Sequence, residues 1–213
     1  MTQPGRLVVL AAPSGAGKTT IAQALVAQRS DVEFSVSATT RAPRPGERNG
    51  QHYHFLSRAE FDRRMQAGDF LEWAEYLGNR YGTLRQEVDR ILHAGHHVLL
   101  EIEVQGAAQV RRAYPWPDSV AIFLLPPSGP ELVRRLTTRG TDGPEERRRR
   151  LEQARRELTR ADEFDFVIVN DDVDGTLAQV SRAIDTRSAP QRPPELTERL
   201  AGLLRDLHAE GIT

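Results

Sequence analysis

A chain of 213 residues, 38% hydrophobic and 28% charged, is long enough to bury the core of one domain and carry small inserted lobes. Its formal net charge of −1 supplies no global field toward nucleic acid or membrane, and the absence of cysteine removes disulfides, thiolate zinc sites and cysteine nucleophiles together. The opening Met1 to Arg6 has no apolar targeting segment and no apolar run approaches membrane length, so the expectation is a cytoplasmic protein without nucleic-acid or membrane partners.

The first element organises the rest. Leu7-Val8-Val9-Leu10 reads as a buried strand, it breaks into a glycine-bearing turn, and Ile21 to Val26 resumes with helical spacing. Strand, glycine loop and helix start in that order make a phosphate cradle. Glycines let backbone N–H groups converge on an anion, and the helix N-terminus adds partial positive charge. The stretch Ala12-Pro13-Ser14-Gly15-Ala16-Gly17-Lys18-Thr19-Thr20 matches G-x-x-x-x-G-K-[ST] except that Ala12 replaces the first glycine. Lys18 suits β- and γ-phosphate oxygens, and the Thr19 hydroxyl suits a Mg²⁺ ion.

Phe34 to Ser37 reads as a second short strand. Ala38 to Gly50 then holds two prolines, two glycines and three arginines without apolar periodicity, which predicts a loop. Ser57, with Glu60 three residues on, marks a helix start of the capping-box type. Phe70 to Tyr76 alternates apolar and acidic side chains from Leu71 onward and predicts a strand. A helix over about Leu84 to His93 leads through Gly95 to a strand at Val98 to Glu103. Segments follow at Ala107 to Arg112, Ser119 to Leu125 and Pro130 to Thr138. After the polar loop Arg139 to Pro144, a long Arg-rich helix runs from about Glu145 to Ala161 with Leu151, Ala154, Leu158 and Ala161 on its apolar face. Phe166 to Val169 is a last buried strand and Thr176 to Ile184 a last core helix. Strands alternating with helices imply a parallel sheet covered on both faces. The alternation breaks at about Thr39 to Gln86 and again after Arg139. Ser188 to Pro194 is a proline-rich break, after which Leu196, Leu200, Leu203 and Leu207 stripe a terminal helix expected to pack back on the body.

The second region has its own chemistry. Arg41 and Arg44 offer planar forks suited to phosphate oxygens, and Tyr53 and Tyr81 add phenolic hydroxyls. Glu72 sits among apolar residues, where a carboxylate needs hydrogen-bond donors. Guanine supplies N1–H and an exocyclic amine on one edge, whereas adenine presents an acceptor at N1, so Glu72 with Ser37 would select guanine. Taken singly, each residue has a plainer reading, since loop arginines are usually solvated and Glu72 beside Trp73 suits the polar side of a strand.

The ordered set resolves this. From about Arg6 to Asp185 the chain resembles guanylate kinase. The resemblance rests on Ala12 to Lys18, Ser35 to Glu47, Asn49 to Phe55, Phe70 to Ala74, Tyr81-Gly82-Thr83, Gln105-Gly106, Arg139-Gly140-Thr141 and Val167 to Asp172. It implies an α/β, P-loop NTPase-type parallel sheet flanked by helices, with an inserted GMP-binding lobe and a short lid. The domain would span 6–185, with its core at 6–38 and 87–185, the lobe at 39–86 and the lid at about 139–150, before a linker and terminal helix at 186–213. It further implies Arg41, Arg44, Tyr53 and Tyr81 on the GMP phosphate and Ser37 and Glu72 on guanine, with Thr83 in support. Residues Ala12 to Thr20 would hold ATP phosphates and Mg²⁺, Arg135, Arg139 and Arg150 would close over the transferring group, and Asn170 would lie at the adenine edge. Glu103 stands where the family usually has aspartate, one methylene longer. The implied reaction moves the γ-phosphoryl of ATP to GMP, with dGMP as a second acceptor, in purine nucleotide metabolism. Lys18, Arg41, Arg139 and Arg150 would neutralise charge in an in-line transfer that needs no general base. Two rivals are a non-catalytic guanylate-kinase-like binding module, which would lack an intact phosphate loop, and a P-loop kinase of a sugar phosphate, which would lack the guanine readers. Monomer and homo-oligomer are equally compatible with the sequence.

Overall fold

The computed structural model describes residues 5–76, 78–137, 144–190 and 195–209. Most of the polar loop expected at 139–144, Arg139 included, lies outside the described residues, as do 191–194 of the proline-rich linker. The fold is α/β, as the alternation of elements implies. Its larger sheet has five strands in the order β2-β7-β1-β8-β9, formed by β1 (Leu7–Ala11), β2 (Val32–Phe34), β7 (His97–Glu101), β8 (Ser119–Leu125) and β9 (Phe166–Val169), with β2–β7 and β8–β9 parallel. All residues of β1 and β8 are buried, which is why they read as unbroken apolar runs. The chain divides into two compact units, one of residues 1–9 and 26–119, the other of 10–25 and 120–213.

In the first unit, β3 (Ala38–Thr39), β4 (His54–Phe55), β5 (Phe70–Tyr76) and β6 (Asn79–Leu84) form a four-stranded sheet in the order β4-β3-β6-β5. Of the strand expected at Phe34 to Ser37 only Phe34 is in a strand, as the last residue of β2; Ser35 to Ser37 connect β2 to β3, which takes the first two residues of the stretch expected as a loop. β4 and β6 were not legible in the sequence. β6 is polar and contains Gly82, and it owes its extended form to pairing with β3 on one side and β5 on the other. The helix expected from Leu84 therefore starts one residue later, as α3 (Arg85–His93), because Leu84 still pairs with Phe70.

Helix α2 (Arg58–Ala67) begins as predicted, with Ser57 Oγ accepting from the Glu60 N–H at 3.1 Å. The Glu60 carboxylate itself binds Arg63 and Arg64. The helix closes the small core of this unit: Phe61 stacks on Phe70 at 4.4 Å between ring centroids and joins Ala38 and Leu84, with Leu56 and Met65 against them. Helix α4 (Val104–Ala113) packs on β5.

The second unit holds α1 (Lys18–Gln28) as far as Leu25, together with α5 (Gly129–Thr137), α6 (Pro144–Leu158), α7 (Val173–Asp185) and α8 (Leu196–Ala209). α6 stops three residues short of the expected end and passes into a 3₁₀ turn at Ala161–Glu163, yet Leu151, Ala154, Leu158 and Ala161 are all buried. α8 packs on α5 and α6, with Leu196, Leu203 and Leu207 buried, so the leucine stripe forms core within this unit.

Candidate active site

The phosphate loop lies in the second unit. β1 ends at Ala11, and Ala12, standing where the motif has glycine, continues the buried run at 3% exposure. The positive φ values fall at Gly15 (84°) and Gly17 (87°), where an L side chain would be strained. Between them the Ala16 N–H closes a turn on Pro13 O at 3.0 Å. Helix α1 starts at Lys18 with no acidic residue in its first turn, which leaves the positive end of its dipole available to an anion. Lys18 is half-buried and Thr19 and Thr20 are exposed.

Three neighbours frame the loop. The Ser14 N–H donates to Glu157 Oε2 on α6 at 3.4 Å, and Gln153 holds the other oxygen of this buried carboxylate at 3.0 Å. Arg135 Nη1 lies 3.6 Å from where a Cβ on Gly17 would stand, while its Nε donates to Glu131 at 2.6 Å. Asn170 is buried and donates to the Ala16 carbonyl. Glu157 carries no mark in the sequence, because its role depends on the helix bringing it back to a loop 143 positions earlier. Arg150 is half-buried on α6, and Arg139 is outside the described residues.

The first unit gathers the other set. In the β5–β6 pair, Glu72 faces Thr83 and Ala74 faces Tyr81, while Thr39 of β3 also pairs with Tyr81. Cross-strand partners share a face, so Glu72, Thr83 and Tyr81 lie on one side of the sheet. A bulge after Phe70 places one extra residue in β5 and turns Glu72 inward: it is 3% exposed, whereas Trp73 is 37% exposed. The alternation therefore runs opposite to the plain reading, with the acid inside and the tryptophan outside.

The Thr83 hydroxyl donates to Glu72 Oε1 at 2.6 Å. Burial pushes the Glu72 carboxyl up to about 7; the Thr83 hydrogen bonds pull it down, and the nearby Glu103 charge pushes it up further. Glu103 is the N-cap residue of α4 and makes no side-chain capping bond. Against the Glu72 carboxylate lies Gly106 of the same helix, where a Cβ would stand 2.2 Å from Oε2. Only a residue without a side chain leaves that space. Ser37 is half-buried in the β2–β3 connection, its carbonyl accepting from the His54 N–H at 2.8 Å.

Arg41, Tyr53 and Tyr81 also converge. The Arg41 guanidinium carbon is 5.4 Å from the centre of the Tyr53 ring, and the two tyrosine rings meet edge-on at 6.0 Å. The Arg41 fork is bidentate on Glu47, Nη1 to Oε2 at 2.9 Å and Nη2 to Oε1 at 2.8 Å, and the Arg44 N–H donates to the same Oε2 at 2.6 Å. The Arg41 bonds foremost hold the Glu47 carboxyl at about 2. The sequence marks Glu47 only by its place in the Arg41 to Glu47 loop; its spacing from Arg41 across the Pro-Gly turn is the signal of the ion pair. Arg44 itself is exposed. The Glu47 carboxylate shows that the Arg41 fork has the geometry a planar oxyanion takes, beside two phenols.

The chain is similar to guanylate kinases over most of its length. The guanylate kinase family model matches residues 4–187. The guanylate kinase of Alkalilimnicola ehrlichii is 49% identical over 204 residues, covering 94% of this chain and 99% of the relative. That of Chromobacterium violaceum is 46% identical and covers 99% of both chains. The crystal structure of guanylate kinase from Anaplasma phagocytophilum aligns with a TM-score of 0.71 at 32% identity, covering 99% of this chain and 97% of that one.

Proposed function

The chain belongs to the guanylate kinase family, and on that premise we propose how its two sets of residues divide the reaction. The activity is transfer of the γ-phosphoryl group of ATP to GMP, giving ADP and GDP. Its own residues carry two tasks. Ala12 to Thr20 hold the ATP phosphates, with Lys18 reaching toward the transferred group and Arg135, Arg139 and Arg150 balancing its charge. Glu72, Ser37, Thr83 and Glu103 read the guanine edge, while Arg41, Arg44, Tyr53 and Tyr81 hold the GMP phosphate.

The observation that carries the guanine assignment is the buried Glu72 carboxylate, fixed by Thr83 at 2.6 Å on the sheet face shared with Tyr81. An acid so desolvated gains most from a ligand that brings its own hydrogens. The acceptor oxygen of GMP is already anionic near neutral pH, so no side chain acts as general base. Catalysis rests on positioning and on offsetting the repulsion between two anionic substrates.

Mg²⁺ fits this arrangement as a passenger of the nucleotide. The described residues contain no cluster of three or more His, Cys, Asp or Glu side chains able to hold a metal, and the first turn of α1 offers the Thr19 hydroxyl without an acid. That donor set suits an ion held chiefly by phosphate oxygens and water, which would neutralise charge on the transferring group. No described helix is long and apolar enough to cross a membrane. Both substrates are charged nucleotides, which supports a cytoplasmic place in purine nucleotide metabolism.

A coupled ADP-release assay with GMP, dGMP, AMP and ribose 5-phosphate tests the reading. Turnover should be confined to the two guanine nucleotides; equal turnover of AMP would remove the guanine assignment, and turnover of the sugar phosphate alone would replace it.

A further inference from the structure

The phosphate loop is braced from outside by one amide side chain. Asn170 follows β9 directly, and its own backbone N–H donates to Leu125 O at 2.8 Å, which anchors it to the end of β8. Its Nδ2 donates to the Ala16 carbonyl at 2.7 Å, and its Oδ1 is 3.3 Å from the Thr176 hydroxyl, whose one hydrogen it shares with the Val169 carbonyl at the same distance. Asn170 is 7% exposed, and Ala16 and Thr176 are fully buried. A Cβ on Gly17 would stand 2.6 Å from the same Nδ2, so the amide occupies the space that this glycine leaves open.

The Ala16 carbonyl belongs to the peptide that joins Ala16 to Gly17, and that peptide turns on the ψ of Ala16 and the φ of Gly17, which is positive at 87°. Glycine on its C-terminal side gives that peptide little steric preference in φ. The peptide is planar and trans, so its C=O and N–H point in opposite directions. Holding the Ala16 oxygen toward Asn170 therefore fixes the Gly17 N–H toward the other side. Were the peptide to turn over, a donor of the cradle would be replaced by a carbonyl oxygen that repels phosphate.

We propose that Asn170 is a positioning residue for the phosphoryl donor, acting on the triphosphate through the Ala16–Gly17 peptide and not by reading the donor's base. This rests on the reading of Ala12 to Thr20 as the ATP-phosphate cradle. Both polar atoms of the side chain are engaged inside the protein, one on the loop and one on Thr176. The consequence is specific: its loss weakens every donor that carries the phosphate chain, whatever base is attached.

The test compares wild type, Asn170→Asp and Thr176→Val with ATP and with ITP as donors, at saturating GMP, and measures tripolyphosphate binding by calorimetry. Asn170→Asp keeps the shape but sets an oxygen against the Ala16 carbonyl. It should raise the donor KM about ten- to hundredfold, by the same factor for ATP and ITP, and weaken tripolyphosphate equally. Thr176→Val, which removes the hydroxyl that orders Asn170 and keeps the volume, should show the same pattern at smaller size and supports the test if Asn170→Asp does not fold. A loss confined to ATP, with tripolyphosphate binding intact, would overturn the proposal and make Asn170 a base reader; unchanged donor kinetics in both variants would overturn it as well. Lys18→Ala separates the two levels. If it abolishes tripolyphosphate binding while Asn170→Asp does not, the bracing fails and the cradle stands; if it leaves binding intact, the cradle assignment itself fails.

Discussion

Across the β5–β6 pair the Thr83 hydroxyl meets the Glu72 carboxylate at 2.6 Å, and this short bond, with one from the Thr83 backbone, opposes the desolvation of an acid 3% exposed. The outcome is a carboxyl raised from 4.5 to about 7. A raised carboxyl lets the folded protein keep a proton that the unfolded chain has released. Its contribution to stability is therefore complete below pH 4.5, declines as pH rises toward about 7, and stays at the lower level beyond. Glu72→Gln should abolish that decline and be more stable than wild type at pH 8 by on the order of 3 kcal/mol. Urea unfolding at pH 5 and pH 8 checks this; parallel pH slopes for the two proteins would contradict it.

The same acid makes GMP binding a protonic event. Guanine's N1–H and amine hydrogens favour the ionised carboxylate, so binding near neutral pH should release a proton, and GMP affinity should climb between pH 6 and 8 more steeply in wild type than in Glu72→Gln. The variant serves as the reference because the GMP phosphate titrates in both. Its affinity should be lower by about two orders of magnitude at pH 8. Calorimetry in buffers of different ionisation enthalpy counts the proton, and an identical count in both proteins would dissociate Glu72 from guanine.

Gly106 tests the same contact from the opposite side. Alanine there strengthens the helix by roughly 1 kcal/mol in intrinsic propensity, but its Cβ would meet Glu72 Oε2 at 2.2 Å and the carboxylate must move. Gly106→Ala is expected to raise the GMP KM about tenfold or more while the ATP KM is retained. A GMP KM equal to wild type would show that the carboxylate's position is not limiting.

Arg41 makes a different demand, for shape as well as charge. Its two terminal nitrogens each hold one oxygen of Glu47, and a lysine cannot reproduce that fork. Arg41→Lys should therefore raise the GMP KM about ten- to hundredfold despite keeping the charge. Steady-state kinetics with varied GMP at saturating ATP decide it, and full retention by lysine would reduce Arg41 to a point charge.

Local patterning was enough to place β1, the glycine loop and α1 in order, because a strand buried on both sides, a positive-φ turn and a helix start each leave their own mark over a few residues. It also brought Arg41, Tyr53, Glu72 and Tyr81 into view as an ordered set. What it could not supply was direction and partnership. β6 becomes a strand only because β3 and β5 flank it, and Glu72 turns inward only because of a bulge that shifts its register. The contacts of Glu47 with Arg41, of Gly106 with Glu72 and of Asn170 with Ala16 join residues whose separation along the chain ranges from 6 to 154 positions. Residue identity set which groups were present, whereas burial and the close approach of distant backbone decided which carboxylate is held near neutrality, which is clamped in an ion pair, and which peptide of the loop is locked.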